Sequence, residues 1–259
     1  MRELLEAVAS GELSPAAAEA KVRGYVTNDA GRFDAARERR AGVPEAILAT
    51  GKTTDELTSL VEASVESTDR AILTRVETTE AAAIKQHLEE NLPDANVEFD
   101  ERGQTLVAHT PDFDLPDLET KVGIVTAGTS DAMAAGEAAT ILREMGVTVE
   151  RVNDVGVASL SRLLDQVPTL REQDLLIVAA GREGALPTVI AGLVDVPIIG
   201  LPVSTGYGHG GDGEAALSGM LQSCTALSVV NIDAGFTAGV QAGLFARKLD
   251  AVRSGTDSE

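Results

Sequence analysis

The chain has 259 residues, 44% of them hydrophobic, enough for one large domain or two smaller ones with a substantial core. Acids outnumber bases 41 to 21, giving a net charge of −20, which argues against a nucleic acid partner because phosphate binding needs Lys and Arg. The sequence has no apolar run of about 18 residues, so no membrane span is expected; the acid-bearing start MRELLEAVASGELSPAAAEA lacks a signal-peptide core; and the lone cysteine fits a reducing cytoplasm. Only five of the bases are lysine and Trp is absent, a composition suited to a halophilic protein kept soluble in concentrated salt.

In chain order, Ser14-Pro15 is expected to start a helix, with Ser as N-cap, Pro in the first turn and Glu19 soon after. Thr53 or Thr54 caps a second helix that carries Leu57, Leu60 and Val61 on one side. ILTRVE, VEFDE and TLVAHT read as short strands from their β-branched content. The aperiodic stretch HTPDFDLPDLET, rich in proline and acids, reads as a linker, dividing a 1–118 N-terminal α/β domain from a 119–259 C-terminal domain.

The pattern then changes. KVGIVTAGTSD, VTVERVNDVG, DLLIVAAGREG, VPIIGLPVSTG and LSVVNIDAG are predicted strands running into turns. They alternate with the predicted helices AMAAGEAATILREMG, SLSRLLDQVPTL, LPTVIAGLV, GEAALSGMLQS and FTAGVQAGLFARKLDAV. Apolar strands alternating with helices predict an α/β, three-layer parallel sheet with helices on both faces. In such a sheet, ligands bind outside the carboxyl ends of the strands.

Four of these strands end in glycine-containing loops, and the candidate site residues sit there. Gly128, Thr129, Ser130 and Asp131 open a helix, where free N–H groups attract phosphate; Asp131 could instead meet a ribose hydroxyl, or simply cap the helix. Glu183, between Gly181 and Gly184, is a general acid/base or a solvated loop residue. His209 sits among small residues, in a loop where it either functions or is merely solvated. Asp212 and Glu214 would cap the next helix; with His209 they lack the dense spacing of a fixed metal site. Asp154, Asn231 and Asp233 end strands, the last as a substrate contact or a turn residue. AGTSD is not GxGxxG and no Walker motif is present, so neither a standard dehydrogenase nor a P-loop enzyme is supported.

Cys224 is either a small buried hydrophobe or a nucleophile. It follows a helix and precedes a strand, at the opposite end of the sheet from the glycine loops, and a helix C-terminus disfavours a thiolate. A catalytic Cys224 therefore needs a neighbouring subunit, which makes oligomerisation part of that reading.

The turn TAGTSD, the segment AGREGALP and PIIGLPV resemble the class I N5-carboxyaminoimidazole ribonucleotide mutases, of AIR carboxylase type and flavodoxin-like fold. The mutase's AHLPG histidine is missing from Gly184-Ala185-Leu186-Pro187-Thr188, and VNDVGVASLSR replaces its SAHR segment. RFDAARERRAGVPEAILATGKT, TAGTSD, NDVGVASLSRLL, AGREGALP, GDGEAALSGMLQSC and VVNIDAGFTAG more closely resemble the LarB family, pyridinium-3,5-biscarboxylic acid mononucleotide synthases of nickel-pincer nucleotide biosynthesis. Ser161 and Arg182 stand where that family commonly has His and Met.

The resemblance implies carboxylation of the pyridinium ring of nicotinic acid adenine dinucleotide by CO2 or bicarbonate, with hydrolysis of the phosphoanhydride to release AMP. It implies a homo-octamer and assigns the catalytic cysteine to Cys224. A pyridinium carbon cannot attack CO2. Thiolate addition makes the ring an enamine whose C5 can, and the thiolate leaves again once a base has removed the C5 proton. Glu183 is the expected base, ahead of Asp131 and Asp154. Arg37, Arg39 and Arg40 would hold the remaining anionic groups or form a solvated basic helix. No tightly bound cofactor is expected; Mg²⁺ would suit the charge neutralisation that anhydride hydrolysis needs.

Overall fold

A computed structural model describes residues 2–11, 15, 18, 22, 24–28 and 30–255. The helix start expected at Ser14 lies outside the described residues. The chain forms two compact units, Met1–Asp114 and Leu115–Glu259.

The first unit contains α1 (Arg2–Ser10), a β1–β2 hairpin (Val26–Asn28, Gly31–Phe33), α2 (Arg37–Ala41), β3 (Ile47–Leu48), α3 (Thr54–Thr68), β4 (Arg70–Thr74), α4 (Thr78–Asn91), β5 (Asn96–Asp100) and β6 (Thr105–His109). Four strands pair in the order β3-β4-β6-β5, parallel between β3 and β4 and antiparallel elsewhere. Leu57, Val61, Leu73, Ile84, Leu88 and Leu106 fill the core. Thr53 is the cap of α3: its hydroxyl accepts from the Glu56 N–H, and the Glu56 carboxylate accepts from the Thr53 N–H at 2.7 Å. That reciprocal box satisfies two helix-end donors.

The second unit runs β7 (Leu118–Thr126), α5 (Ala132–Glu144), β8 (Val147–Val152), α6 (Leu160–Arg171), β9 (Leu175–Ala180), α7 (Ala185–Ala191), β10 (Ile198–Pro202), α8 (Glu214–Leu221), β11 (Ser228–Val229) and α9 (Gly235–Arg253). The sheet is wholly parallel, in the order β11-β10-β9-β7-β8. Successive side chains of a strand point to opposite faces. Leu175, Ile177 and Ala179 of β9 therefore join α5 and α9 in one core, while Leu176, Val178 and Ala180 join α6, α7 and α8 in the other. Burial on both faces is why these strands read as unbroken apolar runs.

β11 is shorter than the run LSVVNIDAG suggests. Val230 still donates to the Gly200 carbonyl at 3.1 Å, but the chain then turns through Asp233, whose φ is +53°.

Helices α5 and α9 approach closely because α9 turns glycines toward its partner. A Cβ on Gly235 would lie 2.1 Å from the Ala134 carbonyl oxygen, and one on Gly239 would lie 2.8 Å from that of Ala138. The buried Glu137 carboxylate accepts from the Phe236 N–H at 2.9 Å, satisfying a donor in the first turn of α9.

Candidate active site

β7 is flanked by β8 on one side and β9 on the other, so the strand order reverses between β7 and β9. Connections after β7 and β9 leave on opposite faces, which opens a crevice at the carboxyl ends of these strands. A cleft of about 240 Å³ lies there, lined by the loops after β7, β8, β9 and β10.

Backbone contacts fix these loops. Gly156 N–H donates to the Ala127 carbonyl at 3.0 Å, joining the loops after β8 and β7. A Cβ on Gly206 would lie 2.5 Å from the Arg182 nitrogen, so only glycine lets the loop after β10 touch the loop after β9. Gly184, at φ +66°, abuts Ala216 of α8, where a Cβ would meet the carbonyl oxygen at 2.4 Å. The loop carrying Glu183 is thereby set against α8.

Of the residues singled out from sequence, Gly128, Ser130, Asp131, Gly181 and Glu183 line the cleft. Asp131 is buried, 3% exposed, and accepts from the Gly128 N–H at 2.8 Å. Burial pushes its carboxyl above the ordinary value of 3.8, outweighing hydrogen bonds from Gly128, Ala127, Ser130 and Thr205 that act the other way. Glu183 is exposed at the cleft, and its carboxylate bonds to no other described residue. The cleft therefore offers one buried carboxyl biased toward protonation and one solvated carboxylate.

The raised Asp131 carboxyl has a measurable consequence. A carboxyl whose folded value exceeds its unfolded one stabilises the fold below the unfolded value, and that stability is lost as pH rises through the folded value. Thermal melts from pH 3.5 upward are expected to show this loss beginning above about 3.8 and to lack it in Asp131→Asn, compared as the difference between the two proteins. Superimposable pH profiles would contradict the assignment.

Other candidates lie apart from the cleft lining or are already engaged. Thr129 and Gly184 adjoin it in the chain. Asp154, at φ +59°, pairs with Arg162 at 2.5 Å. Asp233 accepts from the Ser204 N–H at 2.9 Å, holding the start of the loop after β10. His209, Asp212 and Asn231 do not line the cleft. In the first unit, Arg37 pairs with Glu45 at 2.7 Å and Arg40 with Asp34 at 2.5 Å, so of the three arginines Arg39 alone is exposed without an ion pair among the described residues. Among the described residues no group of three or more His, Cys, Asp or Glu could hold a metal ion. No helix is long and apolar enough to cross a membrane among them.

Cys224 is exposed. It lies between α8 and β11, at the amino-terminal end of the sheet. The tail of α8 nevertheless passes the Glu183 loop: a Cβ on Gly219, five residues before Cys224, would lie 2.3 Å from the Glu183 carbonyl oxygen. The flanks of Cys224 are pinned: Thr188 donates to the Ser223 hydroxyl at 2.9 Å, and the Ser223 and Thr225 hydroxyls lie 2.7 Å apart.

The sequence marks Arg182 only as standing where the resembled family has Met; its pairing with Tyr207 is seen only in the structure. Arg182, at φ +45°, places its guanidinium 4.4 Å from the centroid of the Tyr207 ring, and both line the cleft. Nothing in the sequence joins residues 25 positions apart; only the glycine contact between their loops does.

A doubly wound parallel sheet with a carboxylate-bearing cleft at its switch point defines a flavodoxin-like α/β protein with a small-molecule site. The family is more specific. A model described as AIR carboxylase matches residues 121–256, and one described as LarB/PurE-like N-terminal domain matches residues 25–110. The chain belongs to the AIR carboxylase family and carries a LarB/PurE-like N-terminal domain. An uncharacterized protein of Methanocaldococcus jannaschii is 38% identical, spanning 95% of this chain and 97% of that one. The N5-carboxyaminoimidazole ribonucleotide mutase of Bacillus subtilis is 29% identical over 51% of this chain and 81% of its own, and that of M. jannaschii 34% over 46% and 74%.

Proposed function

We propose that the protein carboxylates C5 of the pyridinium ring of nicotinic acid adenine dinucleotide and hydrolyses the phosphoanhydride to release AMP, as a pyridinium-3,5-biscarboxylic acid mononucleotide synthase. The observation that carries this reading over a purine mutase is architectural. The mutase relatives match about half of the chain, while a whole further unit is of LarB/PurE-like type.

In this reading the thiolate of Cys224 adds to the ring and makes a neutral dihydropyridine. C5 then forms a bond to the carbon of CO2, supplied as CO2 or bicarbonate, and the ring becomes an iminium. Glu183, solvated and unpaired at the cleft, removes the C5 proton; the C–S bond breaks, thiolate departs, and the aromatic pyridinium returns. No net oxidation or reduction occurs. Ser130 and the start of α5 hold the phosphate. Mg²⁺ is ordinarily held by one or two carboxylates together with phosphate oxygens; exposed Glu183 is the cleft carboxylate that could serve, whereas Asp131 is buried and biased toward protonation.

In this reading the protein works as a homo-oligomer: Cys224 follows α8, on the amino-terminal side of the sheet, and its thiol is supplied to the cleft of a neighbouring copy. A cleft of about 240 Å³ also falls short of the ~300–1,000 Å³ usual for drug-sized ligands, which suits one nucleotide half per chain with the rest held outside the cleft.

The test is complementation. Cys224→Ser and Glu183→Gln are each expected to be inactive, whereas oligomers assembled from the two together regain dinucleotide-dependent uptake of labelled bicarbonate. Recovery with aminoimidazole ribonucleotide instead would establish the mutase-like alternative, and ligand binding without turnover in the unmodified protein would establish a regulatory one.

A further inference from the structure

The Arg182–Tyr207 stack sits at the cleft mouth with no function assigned to it above. Among the described residues lining the cleft, Arg182 is the one cationic side chain, set against the acids Asp131 and Glu183. The chain as a whole carries a net charge of −20. Any anionic ligand entering this cleft meets repulsion from the protein at large and a single nearby countercharge. That countercharge is not locked into an ion pair among the described residues: it lies over the face of Tyr207, a ring that is 75% exposed. A cation over an exposed ring is a weak contact, whereas a guanidinium hydrogen-bonded to an oxyanion is a strong one. The balance favours exchange of the first for the second when an oxyanion arrives.

The exchange frees the Tyr207 face. A phenol ring carries negative potential on its faces and attracts flat cations. The group best suited to replace a guanidinium there is another planar, delocalised cation. Glycine backbone contact between the two loops holds the pair in register, with a Cβ on Gly181 lying 3.2 Å from the Gly206 nitrogen.

We propose that Arg182 and Tyr207 together determine ligand specificity: Arg182 swings from the ring to the ligand's phosphate, and Tyr207 takes the ligand's cationic aromatic ring in its place. The pair selects a pyridinium nucleotide, a planar cation joined to an oxyanion, over nucleotides whose ring is neutral. This rests on the pyridinium reading of the site and adds the residues that enforce it.

Binding of three probes to the full-length protein, measured by calorimetry, tests this without turnover. Nicotinamide mononucleotide carries the cationic ring and the phosphate, its reduced form carries a neutral ring, and nicotinamide riboside lacks the phosphate. The unmodified protein is expected to prefer the oxidised over the reduced mononucleotide by about tenfold, and Tyr207→Leu to bring the two within about twofold. Arg182→Met should weaken the mononucleotide by about tenfold and leave the riboside within about twofold. Both side chains are exposed, and a thermal melt reports whether each variant stays folded.

If both folded variants keep the unmodified pattern of preferences while the unmodified protein binds and carboxylates the dinucleotide, this assignment is overturned and the function above stands. If the unmodified protein binds no pyridinium nucleotide and does not turn over the dinucleotide, the functional reading falls and takes this one with it.

Discussion

Replacement of Cys224 by serine is expected to lower carboxylation at least about 10³-fold while leaving the midpoint of thermal unfolding within about 2 °C. The kinetic loss follows from the electron flow. The ring must receive an electron pair to become nucleophilic at C5 and must return it afterwards, which asks one atom to be both nucleophile and leaving group. A thiolate does both near neutral pH, whereas a serine hydroxyl is largely un-ionised there and its alkoxide a much poorer leaving group. The small effect on stability follows from exposure: the Cys224 side chain reaches solvent, and its turn is held by Thr188, Ser223 and Thr225. A variant that retains carboxylation would remove the covalent step. A variant that unfolds would give Cys224 a structural role that its exposure does not suggest.

Gly235→Ala is expected to cost about 3 kcal/mol or more and to lower the unfolding midpoint by roughly 6–12 °C. The added Cβ would stand 2.1 Å from the Ala134 carbonyl oxygen and 2.9 Å from a Glu137 carboxylate oxygen. Both belong to α5, one of them backbone, so relief requires α9 to move away. That movement would also stretch the 2.9 Å hydrogen bond from Phe236 N–H to buried Glu137, leaving a buried carboxylate short of a donor. Gly192→Ala is the matched control: its Cβ would meet the nearest atom at an ordinary 3.5 Å, and its midpoint is expected to stay within about 2 °C. Equal midpoints for both variants would show that the α5–α9 contact is not the tight one described.

The alternation of apolar runs and helices in the second unit was legible because each strand is buried on two faces, and a residue such as Ile177 or Val178 must be apolar whichever way it points. Placing the cleft at the carboxyl ends of the strands followed from that topology, and Asp131 and Glu183 sit there because they lie in the loops after the two strands that flank the switch point. What stayed hidden depends on partners that local sequence does not announce. Asp154 is engaged by Arg162, and Asp233 by the Ser204 amide 29 positions away. The arginine run RERR leaves an anion site and a solvated basic helix both open in sequence, and nothing local announces that Arg37 and Arg40 are matched with Glu45 and Asp34. Arg182 and Tyr207 meet only because Gly181 and Gly206 let two loops touch, and glycine spacing alone does not say which backbone it admits.

The most direct measurement is mass spectrometry of the protein and its small molecules after incubation with nicotinic acid adenine dinucleotide and ¹³C-bicarbonate. The account predicts a mononucleotide carrying one additional, labelled carboxyl group, AMP in equal amount, and a ring adduct on the peptide that contains Cys224. A dinucleotide left unlabelled and uncleaved, with label entering aminoimidazole ribonucleotide when that is supplied instead, would contradict it.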